Sequence, residues 1–310
     1  MRRLRYLPLA TYDQGIERNP HLFEGYYRKL LFLWERKRYT EGLDTCNHCL
    51  ARNPTLAEAH EWRGRMLNYL KRPEEALASY EEAGRLDPTD EEHPLAQERV
   101  LASLKRFEEA LARCKQAIAL APLKTAAYTQ KGEVLVELER YEEALAAYQQ
   151  VVRLDAKDAQ AHSRVGDMQS QLERLEPAIK AYTRALRLQP RWSSTSISKA
   201  QALHKLQRDE EALIVYDKAL QLNPEDFFLR FFRAHALQEM KRYEEATAAY
   251  EQAQQVAPGP LFEVHCMLAR GSSRRAAQGE TSGEQPEHQF NPPRRGRRTK
   301  SSKALLSEET

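Results

Sequence analysis

Apolar side chains along this chain recur at helical spacing in paired short segments, with a polar turn between the two members of each pair. The stretch from Thr125 to Asp158 shows the pattern most clearly. Tyr128, Gly132, Leu135 and Leu138 mark one amphipathic helix, and Tyr141, Ala144, Leu145, Tyr148, Val151, Val152 and Leu154 mark a second. Glu139-Arg140 forms the polar turn between them, and Asp155-Ala156-Lys157-Asp158 ends the second helix. A helix of either kind cannot bury its apolar stripe alone, so the pair is expected to fold as a hairpin stacked on its neighbours.

The same design returns every 34 residues. Ala76, Ala110, Ala144, Ala178, Ala212 and Ala246 stand in step, as do Tyr80, Tyr148, Tyr182, Tyr216 and Tyr250, with Cys114 taking that slot once. Proline closes most periods, at Pro54, Pro88, Pro122, Pro190, Pro224 and Pro258. Seven consecutive windows, 23–56 through 227–260, need no insertion or deletion. Small residues (Gly64, Gly132, Gly166, Ala200, Ala234) hold one place in the first helix, where close helix approach forbids a larger side chain. Ahead of the array, residues 1–22 align with the second half of a repeat. After it, 261–270 is expected to form a capping helix stopped by Gly271, with a disordered basic tail over 271–310.

This chain therefore resembles the tetratricopeptide repeat family, whose signature is Gly at the eighth place, Ala at the twentieth, Tyr at the twenty-fourth, Ala at the twenty-seventh and Pro at the thirty-second. The resemblance covers residues 23–258. It implies an all-α, right-handed α-solenoid of helix-turn-helix repeats, with first-helix side chains lining the concave groove and a protein or peptide as partner. The third window departs from the pattern: Glu98 holds the small-residue place and Pro94 falls in the first turn, so this repeat is expected to pack loosely. Gly42 replaces alanine in the first window and Ala156 replaces proline in the fourth.

Composition narrows the function. Helix formers dominate the 310 residues, and the formal net charge is only +3, carried by the two ends around a near-neutral body. That balance argues against a nucleic-acid binder, although Arg294-Arg295-Gly296-Arg297-Arg298-Thr299-Lys300 leaves the tail as a second candidate for such contact. Four cysteines in so long a chain make no disulfide framework and fit a reducing, cytoplasmic setting, and no apolar run is long enough to span a membrane. Phosphate-binding glycine loops and His-Glu-x-x-His are absent, so no enzyme chemistry and no cofactor are expected. Cys46-Asn47-His48-Cys49 has the look of half a zinc site, but no second pair of ligands follows and both thiols fall on core positions; no metal is expected. The recurring Glu-Glu pairs sit at second-helix starts, where they suit the helix dipole.

What remains is a non-catalytic interaction scaffold. The partner-binding candidates on first helices are Tyr27, Arg28, Trp34, Trp62, Arg65, Tyr69 and Arg99 near the N-terminus, and Phe228 and Phe231 near the C-terminus, because aromatic residues beside arginine are enriched at binding hot spots. Bland packing of Trp62 and Phe232 between helices is the competing reading. Some members of the family grip a chaperone's terminal carboxylate with lysine, asparagine and arginine. The matching places here hold Tyr27, Leu31, Trp62, Glu92 and Ala96, so no such clamp is expected. The other class left open is the substrate-recognition part of a larger repeat-containing enzyme, such as a glycosyltransferase or kinase.

Overall fold

A computed structural model describes residues 9–278, and every regular element among them is a helix. Helix α1 (Leu9–Arg18) precedes seven hairpins. These are α2 (Phe23–Glu35) with α3 (Tyr39–Arg52), α4 (Ala57–Tyr69) with α5 (Pro73–Leu86), and α6 (Glu92–Ser103) with α7 (Phe107–Leu120). Then follow α8 (Thr125–Glu137) with α9 (Tyr141–Leu154), α10 (Ala159–Gln171) with α11 (Leu175–Leu188), α12 (Ser193–Lys205) with α13 (Asp209–Leu222), and α14 (Phe227–Glu239) with α15 (Tyr243–Gln254). Helix α16 (Pro260–Ala277) closes the stack. Each helix packs on the next one in sequence, which is the one-dimensional order of a solenoid.

One backbone device ends every first helix. Lys37, Lys71, Lys105, Glu139, Glu173, Gln207 and Lys241 all adopt φ between 56° and 62°. The amide of the following residue, always arginine, donates to the carbonyl five residues back at 2.8–3.0 Å, as from Arg72 to Leu67 and from Arg140 to Leu135. This is a Schellman closure made without glycine, so each repeat holds an L-residue in the left-handed region.

The arginine that follows does a second task. Arg72, Arg106, Arg140, Arg208 and Arg242 each pair with the glutamate three residues on at 2.6 Å. Four arginines also reach back to a glutamate of the preceding repeat: Arg140 to Glu108, Arg174 to Glu142, Arg208 to Glu176 and Arg242 to Glu210, at 2.8–3.8 Å. The Glu-Glu pairs thus serve a ladder of ion pairs along the hairpin turns as well as the helix dipole. Hydrogen bonds from these arginines hold Glu75, Glu109, Glu143, Glu211 and Glu245 below the usual carboxylate range. Being exposed, the ladder aligns repeats more than it stabilises them.

A matching device joins the turns between repeats. The fourth residue of a first helix donates to the carbonyl of the turn six residues earlier: Tyr26 to Pro20, Tyr128 to Pro122 and Arg230 to Pro224, with His60 and His162 placed alike. Inside the second, fourth and fifth hairpins, the glycine of the first helix lies against the tyrosine ring of the second. A β-carbon on Gly132 would stand 2.6 Å from the Tyr148 ring, and one on Gly166 would stand 2.6 Å from Tyr182.

The third repeat is not loose. In α6, eight residues from His93 to Leu101 are buried, Pro94 and Glu98 among them. Pro94 occupies the third helical position, where the amide has no intrahelical acceptor to lose. Glu98 faces Cys114, the one small residue in the tyrosine series between Tyr80 and Tyr148, so the pair exchanges bulk rather than adding it. The first repeat repeats the exchange with Leu30 and Cys46, both fully buried. Gly42 also has its reason: a β-carbon there would meet the Met66 sulfur at 2.6 Å.

Helix α16 runs on through Gly271 to Ala277, beyond the expected stop. Nothing lies within 4 Å of a β-carbon at Gly271, so its cost is only the helix propensity of glycine, about 1 kcal/mol. Contacts with α14 and α15 hold the extension: Ser273 Oγ donates to Gln238 Oε1 of α14 at 2.8 Å, and Arg274 pairs with Glu251 of α15 at 2.9 Å. Residues 1–8 of the leading half-repeat and 279–310 of the tail lie outside the described residues.

Candidate docking face

The N-terminal aromatic residues come together. Trp34 near the end of α2 meets Tyr69 at the end of α4 with ring centroids 4.5 Å apart and nearly perpendicular, and meets Trp62 at 5.9 Å. Tyr27, about two helical turns before Trp34, meets Trp62 with ring centroids 5.8 Å apart. The result is a continuous run of rings across two adjacent first helices, in the edge-to-face geometry aromatic pairs prefer.

Burial separates anchor from surface. Trp62 is only 6% exposed and belongs to the core, as the packing alternative had it. Tyr69 is 51% exposed and Tyr27 36%. Trp34 is intermediate. The run also recruits Tyr39, which the sequence reading did not single out: its ring lies 4.8 Å from Tyr69 and 5.6 Å from Trp34. Tyr39 begins a second helix, where Tyr or Phe also stands at 107, 141 and 243, so the repeat pattern hides it as an ordinary hairpin residue.

The arginines frame this run unequally. The Arg65 guanidinium lies 5.1 Å over the Trp62 ring while pairing with Glu61, which leaves it partly exposed. Arg28 pairs with Glu24 at 2.6 Å and is well exposed. Arg99 is exposed on α6. Burial raises the Tyr80 phenol above its ordinary value, and the positive charges of Arg65 and Arg99 oppose that rise, which places both cations around one hydroxyl.

The C-terminal pair fares differently. Phe231 is 6% exposed, packed between Phe232 and Tyr250 at 5.8 and 5.6 Å. Phe228 is intermediate, with its ring 5.8 Å from Phe262 of α16. This cluster is core, sealed by the last helix, and the assignment of Phe231 to a binding face is corrected. Spacing alone places Phe231 on a first helix but does not show that Phe232 and Tyr250 close over its ring.

Cys46 and Cys49 are both fully buried, and burial raises both thiols, Cys49 to about 11. All four cysteines are free thiols. Among the described residues no helix is long and apolar enough to cross a membrane.

Two family models, both described as tetratricopeptide repeat, match residues 95–159, 129–191 and 169–227, and residues 57–90 and 229–260. With the fold above, these place the chain in the tetratricopeptide repeat family. No curated protein sequence is significantly similar to it. Among solved structures it is similar to the C-terminal part of a repeat-containing protein from Cytophaga hutchinsonii, at 15% identity and TM-score 0.66, over 83% of this chain and 100% of that one. It is also similar to YrrB, described as a repeat protein with an unusual peptide-binding site, at 22% identity and TM-score 0.52, over 64% and 100% of the two chains. A third is the Cut9–Hcn1 hetero-tetramer of the APC/C, at 17% identity and TM-score 0.51, over 86% and 52%. These likenesses establish the fold. Family membership supports a general role in protein–protein interaction.

Proposed function

We propose that this chain is a non-catalytic scaffold that docks an extended peptide or a partner's helix on the first-helix face of its opening repeats. The observation that carries this reading is the run Tyr27–Trp62–Trp34–Tyr69–Tyr39, exposed at Tyr69 and Tyr27 and flanked by Arg28, Arg65 and Arg99. Rings already packed against one another lose little freedom when a ligand covers them, which favours their use as anchors. The chemistry asks for a partner offering an apolar or aromatic anchor next to a carboxylate. Four buried free thiols suit a reducing compartment, and we place the protein in the cytoplasm on that ground.

Selection of displayed peptides against the full chain tests the reading. Binders enriched in an aromatic residue beside Asp or Glu are expected, and Tyr69→Ala or Arg65→Glu should weaken them about tenfold or more. Ile214→Ala, which alters an equally exposed side chain on α13, should leave them unchanged. Peptides that bind the Tyr69 and Ile214 variants equally would remove the face from consideration.

A further inference from the structure

The turn between the second and third repeats carries groups that the repeat does not need. In five of the seven repeats the fourth residue of the first helix donates to a turn carbonyl. In this repeat the residue in register with them, 34 residues after His60 and before Tyr128, is Pro94, which has no donor, and a histidine stands one residue earlier. His93 is only 2% exposed, and its Nδ1 is buried without a hydrogen-bond partner. Asp87, Asp90 and His93 offer ligand atoms that all lie within 4.8 Å of one another. They line a cleft of about 290 Å³ together with Gln97, whose Oε1 is also buried and unpartnered.

Ordinary turn chemistry accounts for only part of this. Asp90 Oδ1 accepts the Glu92 amide at 2.8 Å, and Asp87 Oδ1 accepts the amide and hydroxyl of Thr89. Those Thr89 hydrogen bonds also hold Asp87 below the usual carboxylate range, so it is ionised at neutral pH. Asp90 Oδ2 instead faces His93 Nε2 at 3.9 Å. That is too long for a hydrogen bond, yet close to the separation of about 3.4 Å between two ligands on one tetrahedral ion with bonds near 2.1 Å. The ring nitrogen turned toward Asp90 is Nε2, and a cation between the three groups would give that nitrogen a bond and neutralise the two carboxylates beside it. Arg85 and Arg113 also line the cleft, but Arg85 is engaged by Glu82 at 2.6 Å and Arg113 bonds Gln116.

We propose that Asp87, Asp90 and His93 form a binding site for a divalent transition-metal cation, for which Zn²⁺ is the best fit. One imidazole and two carboxylates match its ligand preferences and leave a fourth position for water or a partner's side chain. The site would tie the turn after α5 to the first turn of α6.

Titration calorimetry of the reduced full chain with ZnCl₂ tests this, alongside His93→Gln and Asp90→Asn, which retains an oxygen for the Glu92 amide. The expected result is one equivalent bound by the wild type, weakened by about 10–100-fold or lost in each variant, with unchanged far-ultraviolet dichroism. Cobalt(II) should give visible bands that His93→Gln abolishes. Absence of Zn²⁺ binding, or binding equal in wild type and Asp90→Asn, would overturn the site; equal binding would move the ion to the cysteines or other histidines.

Discussion

Bulk is exchanged between the two helices of a hairpin, and one substitution cycle measures this directly. Gly132 and Tyr148 are a typical pair: a β-carbon at 132 would sit 2.6 Å from the ring, and Tyr148 is 1% exposed. The first repeat solves the same space with Leu30 and Cys46. Gly132→Leu alone overpacks, costing about 1–3 kcal/mol, offset by up to about 1 kcal/mol of helix propensity. Tyr148→Cys alone leaves a cavity and costs about 3 kcal/mol, the low end for loss of a buried aromatic side chain. Together they recreate the Leu–Cys pair, so the new side chain fills the space the ring leaves. The double variant should be more stable than the sum of the two effects by about 1–3 kcal/mol. Urea unfolding followed by circular dichroism supplies the four values. Additivity within about 0.5 kcal/mol would refute the exchange.

Three further outcomes follow from the geometry. Lys71→Gly should stabilise by about 0.5–1 kcal/mol, because relief of the left-handed backbone exceeds the entropy glycine adds to the unfolded chain; a drop in the urea midpoint would count against the Schellman closure. The buried thiols should resist iodoacetamide in the native state and react on unfolding. Burial raises Cys114 to about 12 and Cys49 and Cys266 to about 11, against an ordinary 9.0. Their contribution to stability is therefore full below pH 9 and declines as pH rises toward 11–12, and melts across that range should fall rather than rise. Finally, Arg208→Gln should lower the melting temperature slightly at low salt and not at all at high salt, because its partners Glu176 and Glu211 are more than half exposed.

Much of this fold could be read from period alone. Tyr80, Tyr148, Tyr182, Tyr216 and Tyr250 marked the second-helix core, and all are buried. Facing was harder. Periodicity shows that Phe227, Phe228, Phe231 and Phe232 share a helix, but only the packing shows that Phe262 of α16 meets Phe227 and Phe228 while Tyr250 meets Phe231. Glu98 breaks the repeat pattern in the sequence because its compensation, Cys114, stands sixteen residues away on another helix. The arginine ladder escaped notice because its bonds span 32 residues, although Arg72, Arg106, Arg140, Arg174, Arg208 and Arg242 were in step throughout. In the docking face, Trp34, Trp62 and Tyr69 were legible as aromatic residues on first helices. Which of them stays exposed depends on tertiary packing, which no spacing encodes.

The most direct measurement of the central claim places a photoactivatable phenylalanine at position 69 and, separately, at position 214 of the full chain, with a selected peptide present. An adduct is expected from position 69, lost when Arg65→Glu is added, and none from position 214. Equal adducts at both positions, or an adduct at 214 alone, would contradict a docking face on the opening repeats.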